Sequence, residues 1–133
     1  MFGNKNKKIE SFSIVTLRET GMRGSTEYEI VMKDGKAEVS FYWIKYTQGK
    51  DSRELDRRAV CDRETVLGLL NECNILSWNG FVGKHPKGVL DGIMFTFNAV
   101  VGHDEKIYAH GSENFPKHYR DLTHGLYEIL KEE

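Results

Sequence analysis

The stretch of sequence that decides the fold is TEYEIVMKDGKAEVSFYWIKY, residues 26–46. At its centre lies Asp34-Gly35, a pair typical of the two-residue type I′ turn, in which both residues have a positive φ. Counted outward from this turn, one face of the predicted hairpin is apolar and pairs Met32 with Ala37, Ile30 with Val39, Tyr28 with Phe41 and Thr26 with Trp43. The other face pairs Val31 with Glu38, Glu29 with Ser40 and Glu27 with Tyr42. A slip of one residue would bury the acidic side chains, so the sequence favours this register.

Further elements are predicted on both sides of the hairpin. A β-branched and aromatic stretch from Ile9 to Leu17 predicts a strand before it, followed by a loop at residues 21–25. After the hairpin, alternating residues from Leu55 to Cys61 predict a fourth strand that could lie at a sheet edge. Asp62 is a good N-cap, and apolar residues at helical spacing behind it predict a helix as far as Asn71 or Cys73.

The remaining chain predicts two strands and a final helix. An irregular connection over residues 75–88 leads to an apolar strand over residues 89–101, and residues 106–110 form the returning strand. One face of the apolar strand carries Ile93, Phe95, Phe97, Ala99 and Val101. The final helix has apolar residues at helical spacing and Pro116 in its first turn; its apolar positions are Phe115, Tyr119, Leu122, Leu126 and Ile129.

The predicted order is therefore four strands, a helix, two strands and a helix. Short connections favour a mainly antiparallel sheet of about six strands with both helices packed on one face. We expect a single α+β domain over residues 9–131. Residues 1–8, which carry Lys5, Lys7 and Lys8 and no apolar periodicity, predict a disordered basic tail.

Charge and hydropathy narrow the classes of function. The 133 residues include 19 Lys and Arg against 20 Asp and Glu, a net charge of −1, which argues against a general nucleic-acid binder. No run approaches the roughly 20 apolar residues of a membrane helix. The first residues lack the apolar stretch of a secretory signal, so we expect a cytoplasmic protein.

The cysteines and histidines predict neither a metal site nor a cofactor. Cys61 and Cys73 are too far apart for a paired metal motif, and we interpret them as small, half-buried apolar side chains. Cys61 precedes a predicted helix start, where a thiolate could be stabilised. The five histidines show no i, i+4 pair with a glutamate, and His118 and His124 would lie about 120° apart around their helix.

The candidate ligand-binding residues are Trp78, Phe81, Asp91, His110, Ser112, Glu113 and Asn114. Trp78 and Phe81 lie in the irregular connection, where they could meet a ligand or cover the core. Asp91 precedes the apolar strand and could act as a general base or bond backbone N–H groups in a turn.

Residues 111–116 lead into the final helix, and free N–H groups at a helix start attract anions. In the alternative interpretation the same residues serve the helix itself. Ser112 or Asn114 would then cap its N–H groups, and Glu113 would complement its dipole and repel an anion.

Three pieces of the C-terminal half form a pattern, Trp78-x-Gly80-Phe81, Asp91-Gly92 and Gly111-Ser112 with Pro116 and Tyr119. The pattern resembles an uncharacterised family of small bacterial domains with W-x-G-F/Y, D-G before a strand and G-S-N-A-Y/F-P ahead of a final helix. The resemblance covers roughly residues 62–130, and Glu113-Asn114 stands where the family has Asn and Ala. It implies an α+β domain, found alone or in lipid-anchored proteins, and no activity, so no catalytic residue is carried over.

Three functions stay open. The first is a non-enzymatic module that binds a protein or a small ligand through Trp78, Phe81 and the turn at residues 111–115. The second is a small hydrolase using Asp91, His110 and Glu113, which would have to converge in a pocket. The third is a homo-oligomer, for instance a homodimer, formed through an unpaired edge strand at residues 50–58.

Overall fold

The computed structural model describes residues 8–90 and 92–131, which form an α+β domain. The elements are β1 (Phe12–Gly21), β2 (Gly24–Lys33), β3 (Lys36–Thr47), β4 (Lys50–Asp62), α1 (Arg63–Glu72), a 3-10 helix (Ile75–Trp78), β5 (Val82–Gly83), β6 (Met94–Val101), β7 (Glu105–Ser112) and α2 (Tyr119–Lys131). Asp91 and the predicted tail, except Lys8, lie outside the described residues. None of the described helices is long and apolar enough to span a membrane.

The strands form one sheet in the order β4-β3-β2-β1-β6-β7-β5. Every neighbouring pair is antiparallel except β5 and β7, which run parallel. The described sheet therefore has seven strands where the sequence predicts about six. The additional strand is β5, whose two residues are too few to show the alternation that marks a strand in a sequence.

The predicted central hairpin is confirmed. Asp34 and Gly35 have φ values of 54° and 80°, as a type I′ turn requires. The register pairs Ile30 with Val39 and Tyr28 with Phe41, so the predicted apolar face is the one that faces the core. The acidic residues of β2 consequently lie on the opposite face of the sheet.

One face of the sheet and both helices enclose the core. The sheet contributes one alternating set of residues from six strands, among them Val15, Leu17, Ile30, Val39, Ala59, Phe97, Ala99, Ile107 and Ala109. From α1, Val66 and Leu70 pack onto this face, and α2 adds three leucines one helical turn apart, Leu122, Leu126 and Leu130. Full burial of each leucine contributes about 1.5 to 3 kcal/mol.

The first strands and the first helix differ in detail from the predictions. β1 begins later than Ile9, which is nevertheless buried and bonded at both backbone groups to the Asn71 side chain. The predicted loop before the hairpin is a two-residue turn flanked by the paired residues Gly21 and Gly24. Asp62 takes the predicted N-cap position of α1, but its carboxylate accepts from Lys36 Nζ at 3.0 Å rather than from the helix.

Two boundaries in the C-terminal half were predicted wrongly. β6 begins at Met94, and the apolar residues ahead of it lie in a loop, where Leu90 is 95% exposed. Ile93 consequently does not share the buried face of β6. α2 begins at Tyr119, so Pro116 lies before the helix rather than in its first turn. His118, with a φ of 71°, interrupts any helical run from Pro116.

Arginines cover part of the second face of the sheet, which no helix covers. Arg58 donates to Ser40 Oγ at 2.9 Å and to the Tyr42 hydroxyl at 3.0 Å. The Arg53 guanidinium carbon lies 4.0 Å from the centre of the Tyr42 ring. Arg53 Nη1 donates to the carboxylates of Glu27 and Glu29. Ser40 and Tyr42 are buried for this reason, although they point away from the core.

Candidate functional site

A cleft of about 290 Å³ opens on this second face where β1, β6, β7 and β5 lie side by side. The register places side chains of one parity around it, because Arg18 pairs with Thr96 and Thr96 with His110. The full lining is Arg18, Thr20, Gly83, Met94, Phe95, Thr96, Tyr108, His110, Gly111 and Ser112. The cleft therefore brings together two of the predicted site residues, His110 and Ser112.

Two glycines allow the chain to close one end of the cleft. Gly83 of β5 lies beside Gly111 of β7 in the parallel pair. A Cβ on either residue would collide with the Asn114 carbonyl oxygen, which would lie only 2.5 Å from a Cβ on Gly111. Glycine at both positions lets residue 114 pack directly against the β5–β7 pair.

Ser112, Glu113 and Asn114 hold the loop that connects β5 to β6. Ser112 Oγ lies 2.7 Å from His85 Nδ1, and Asn114 Nδ2 donates to the Lys84 carbonyl at 3.3 Å. Glu113 Oε2 accepts from the Ile93 N–H at 2.5 Å, while the Glu113 N–H donates to the Ile93 carbonyl at 2.9 Å. Three consecutive side chains thus fix the loop at both ends.

This arrangement replaces the predicted capping of α2. α2 begins only at Tyr119, beyond both residues, and neither Ser112 nor Asn114 bonds an N–H group of α2 in the described residues. The Glu113 side chain lies over Gly92, where a Cβ would overlap it. The glycine of the Asp91-Gly92 pair therefore makes room for Glu113. Asp91 itself is outside the described residues.

When the His85 ring is neutral, its two hydrogen bonds decide which ring nitrogen carries the proton. His85 Nε2 lies 2.5 Å from the Val89 carbonyl oxygen, which can only accept a hydrogen bond. Nε2 must then carry the proton, and Nδ1 is left with a lone pair. The Ser112 hydroxyl therefore donates to Nδ1. A serine that donates to an imidazole is positioned to lose its proton to that imidazole.

Arg18 supplies the charge of the cleft. Its Nε donates to Glu27 Oε1 at 3.1 Å and its Nη1 to Asp51 Oδ2 at 3.3 Å. Glu27 is buried, and it also pairs with Arg53, so the carboxylate that orients Arg18 is itself fixed. Two of the five N–H donors of the guanidinium are used in this way, and three stay free for other acceptors.

The predicted aromatic residues lie beneath the cleft. Trp78 is 1% exposed, donates from Nε1 to the Lys117 carbonyl and packs its ring 4.9 Å from that of Phe97. The structure therefore places Trp78 in the core, and we do not assign it to a ligand surface. Phe81 is half-buried and packs against Phe95, which does line the cleft.

His110 and Glu113, proposed from the sequence as parts of one hydrolase, have separate surroundings. His110 lies in the cleft, and its ring packs 5.4 Å from that of Tyr108. The Glu113 carboxylate is bonded to the backbone of Ile93. No hydrogen bond joins His110 to Glu113 within the described ranges.

The cysteines have the environment of structural residues. Burial, helped by Asp121 and Glu72, raises the pKa of Cys73 from 9.0 to about 11. Burial and the neighbouring Asp62 also raise the pKa of Cys61, so the position before α1 does not favour a thiolate. Among the described residues, no group of three or more His, Cys, Asp or Glu is placed to hold a metal ion.

His85, Arg18 and Tyr108 are site residues that the sequence does not identify. Arg18 and Tyr108 join the site through strand pairings across the sheet, and His85 follows β5, which pairs with β7. Comparisons with family models, curated proteins and solved structures find no match to this chain. The resemblance to small bacterial domains therefore stays a prediction.

Proposed function

We propose that this domain is a binding module that takes a small organic anion of the carboxylate class in the cleft. The observation that carries the proposal is the charge of the lining. Arg18 is its one charged side chain, and no carboxylate lines the cleft in the described part of the chain. The volume of about 290 Å³ is at the lower end for small-molecule sites.

The free donors of Arg18 match a carboxylate. A guanidinium binds a carboxylate through two parallel N–H···O bonds, which are stronger than bonds between neutral groups. Glu27 and Asp51 hold the guanidinium in place, so little side-chain entropy is lost when a ligand binds. The hydroxyl group of Thr96, which also lines the cleft, offers a further donor beside it.

The rest of the lining suits the organic part of such a ligand. Met94 and Tyr108 are about half exposed, and Phe95 also lines the cleft. Apolar and aromatic surface with a few polar groups is typical of small-molecule sites. A ligand with a short aliphatic chain or one ring beside its carboxylate fits this combination.

A titration followed by two-dimensional NMR of the 15N-labelled chain tests the proposal. Acetate, butyrate and benzoate are compared with the matched neutral amides acetamide, butyramide and benzamide. We expect the carboxylates to shift the amide signals of Thr96, His110 and Ser112. Equal responses to acids and amides, or shifts confined to other regions, would contradict the proposal.

Arginine variants make the test specific. Arg18→Gln removes the charge from the cleft and should weaken carboxylate binding about tenfold or more, the cost of a charge-assisted hydrogen bond. Arg58→Gln is the matched control, because Arg58 lies on the same face but binds Ser40 and Tyr42 outside the cleft. Equal affinities of the two variants would refute the role of Arg18.

We also propose that the protein acts in the cytoplasm and is related to the family of small bacterial domains. The α+β fold agrees with what the resemblance implies and supports the relationship. Fractionation of cells that express a tagged chain tests the location. Recovery in a membrane fraction would oppose it.

A further inference from the structure

Ser112 is placed as an activated nucleophile at the edge of the cleft. Its hydroxyl donates to His85 Nδ1, and the Val89 carbonyl holds the opposite nitrogen of the same ring. A hydroxyl, an imidazole and an acceptor that orients the imidazole are the three parts of a serine nucleophile and its base. Among the serines of the described ranges, Ser112 is the one whose hydroxyl meets an imidazole.

We infer that Ser112 accepts acyl groups from small carboxylic esters, with His85 as its general base. As Ser112 Oγ bonds to the acyl carbon, His85 Nδ1 takes the hydroxyl proton. The ester C–O bond then breaks, and the leaving oxygen takes that proton and departs as an alcohol. In the second half, Nδ1 takes a proton from water as the water attacks the acyl carbon. Ser112 Oγ leaves with that proton, and a carboxylic acid is released.

The cleft provides the place for the ester. Ser112 pairs with Met94, and Met94 with Thr20, so the three residues form one row across β7, β6 and β1. All three line the cleft. His110, two residues earlier on the same strand, lines it too. The acyl part would rest against Met94 and the aromatic side of the cleft.

The experiment treats the full chain with p-nitrophenyl acetate. Release of p-nitrophenolate is followed by absorbance, and the acetylated residue is located by peptide mass spectrometry. We expect one acetyl group on Ser112. Ser112→Ala should reduce release to the level of a denatured sample, and His85→Ala should slow it about 100-fold, a typical contribution of a general base.

Matched controls separate a nucleophile from a structural contact. Ser77→Ala changes an exposed serine that bonds a backbone carbonyl, and His103→Ala changes an exposed histidine in a turn. Both should react like the wild type. Circular dichroism shows whether His85→Ala keeps its fold. If that variant unfolds, the acetyl group on wild-type Ser112 is still an independent result.

The outcomes distinguish this inference from the proposed function. If Ser112→Ala releases p-nitrophenolate as fast as the wild type, or a folded His85→Ala reacts at the wild-type rate, Ser112 is not the nucleophile. Such a result with intact benzoate binding would leave the binding module standing. If Ser112 is acetylated but the chain binds no carboxylate, the nucleophile is supported and the proposed anion site is refuted. The two results can differ because the ester is neutral and does not need the charge of Arg18.

Discussion

Replacing Tyr119 with Phe tests how the start of α2 is held to the sheet. The hydroxyl of Tyr119 donates to Glu19 Oε2 of β1 at 2.5 Å. The ring stacks 4.6 Å from that of Phe115 and lies 4.9 Å from that of Phe95, and phenylalanine keeps both contacts. The variant therefore loses one hydrogen bond to a carboxylate, and nothing else that the structure shows.

The expected loss in the free energy of unfolding is about 1.5 to 3 kcal/mol, the range for hydrogen bonds to charged groups. Urea unfolding measures it. Tyr127→Phe is the control, because Tyr127 lies on the same helix and is 56% exposed. A double-mutant cycle with Glu19→Gln isolates the pair, and we expect a coupling energy of about 1 kcal/mol or more. A loss no larger than that of the Tyr127 control would refute the reasoning.

The stability of Tyr119→Phe should also differ from that of the wild type at alkaline pH. Burial, and then the hydrogen bond and charge of Glu19, raise the pKa of Tyr119 well above its ordinary value of 10.0. Tyr119 in the folded chain keeps its proton where the unfolded chain loses it. Its contribution to stability is complete below pH 10 and is lost above it, by about 1.4 kcal/mol per pH unit. The stability of Tyr119→Phe should therefore fall less steeply above pH 10, and parallel curves would contradict the assignment.

Three further predictions concern the core, the cleft and the sheet edge. Because burial raises the pKa of Cys73 from 9.0 to about 11, its contribution to stability is present below pH 9 and lost by pH 11. Between pH 8 and 11, we expect the free energy of unfolding of the wild type to fall by about 2 to 3 kcal/mol more than that of Cys73→Ala. Urea unfolding measures both, and equal losses would contradict this prediction. Gly111→Ala should lower the stability by about 1 to 3 kcal/mol in thermal unfolding, because its Cβ would meet the Asn114 carbonyl oxygen. Gly68→Ala, a mid-helix control with open space around it, should instead raise the stability by about 0.5 to 1 kcal/mol. Along the exposed edge strand β4, charged side chains and a bulge opposite Phe41 and Tyr42 oppose edge-to-edge pairing, so light scattering should report a monomer. A dimer would instead support the homo-oligomer interpretation.

The elements that could be predicted are those whose signals are local. The turn at Asp34-Gly35 needs two positive φ values, and the flanking alternation leaves one register that keeps the acids out of the core. Tyr119, Leu122 and Leu126 repeat at helical spacing and identify the buried side of α2, although the last buried position is Leu130 rather than the predicted Ile129. In both cases residues a few positions apart carry all the information.

Two element boundaries, the start of α2 and the start of β6, could not be predicted, for different reasons. His118 adopts a positive φ, which few non-glycine residues do, and this delays α2 until Tyr119. The apolar run before β6 contains Leu90, which is almost fully exposed. Apolar composition predicted a strand there, although hydrophobic residues also occur on protein surfaces.

The candidate site could be predicted only in part, because it is assembled from distant residues. Ser112 is a sequence candidate because it lies before the final helix, and His110 because it could belong to a hydrolase, but the partner of Ser112 lies 27 positions earlier. Only the parallel pairing of β5 with β7 brings His85 beside Ser112. A two-residue strand gives no sequence pattern, so this pairing and the resulting Ser112–His85 contact emerge from the three-dimensional structure alone.

The distribution of charge over the uncovered face explains why the cleft lies where it does. From β4 to β1, arginines and carboxylates pair across the strands, and the guanidinium groups of Arg53 and Arg58 contact Tyr42 and Ser40. Within the described residues, the series of ion pairs reaches the cleft at Arg18, and no Lys, Arg, Asp or Glu follows it among the residues of β6 and β7 that line the cleft. The cleft therefore lies where side-chain ion pairs no longer cover the sheet. A ligand carboxylate at Arg18 would therefore continue a pattern that the protein itself uses on the other strands, with the ligand in the place of the next acidic residue.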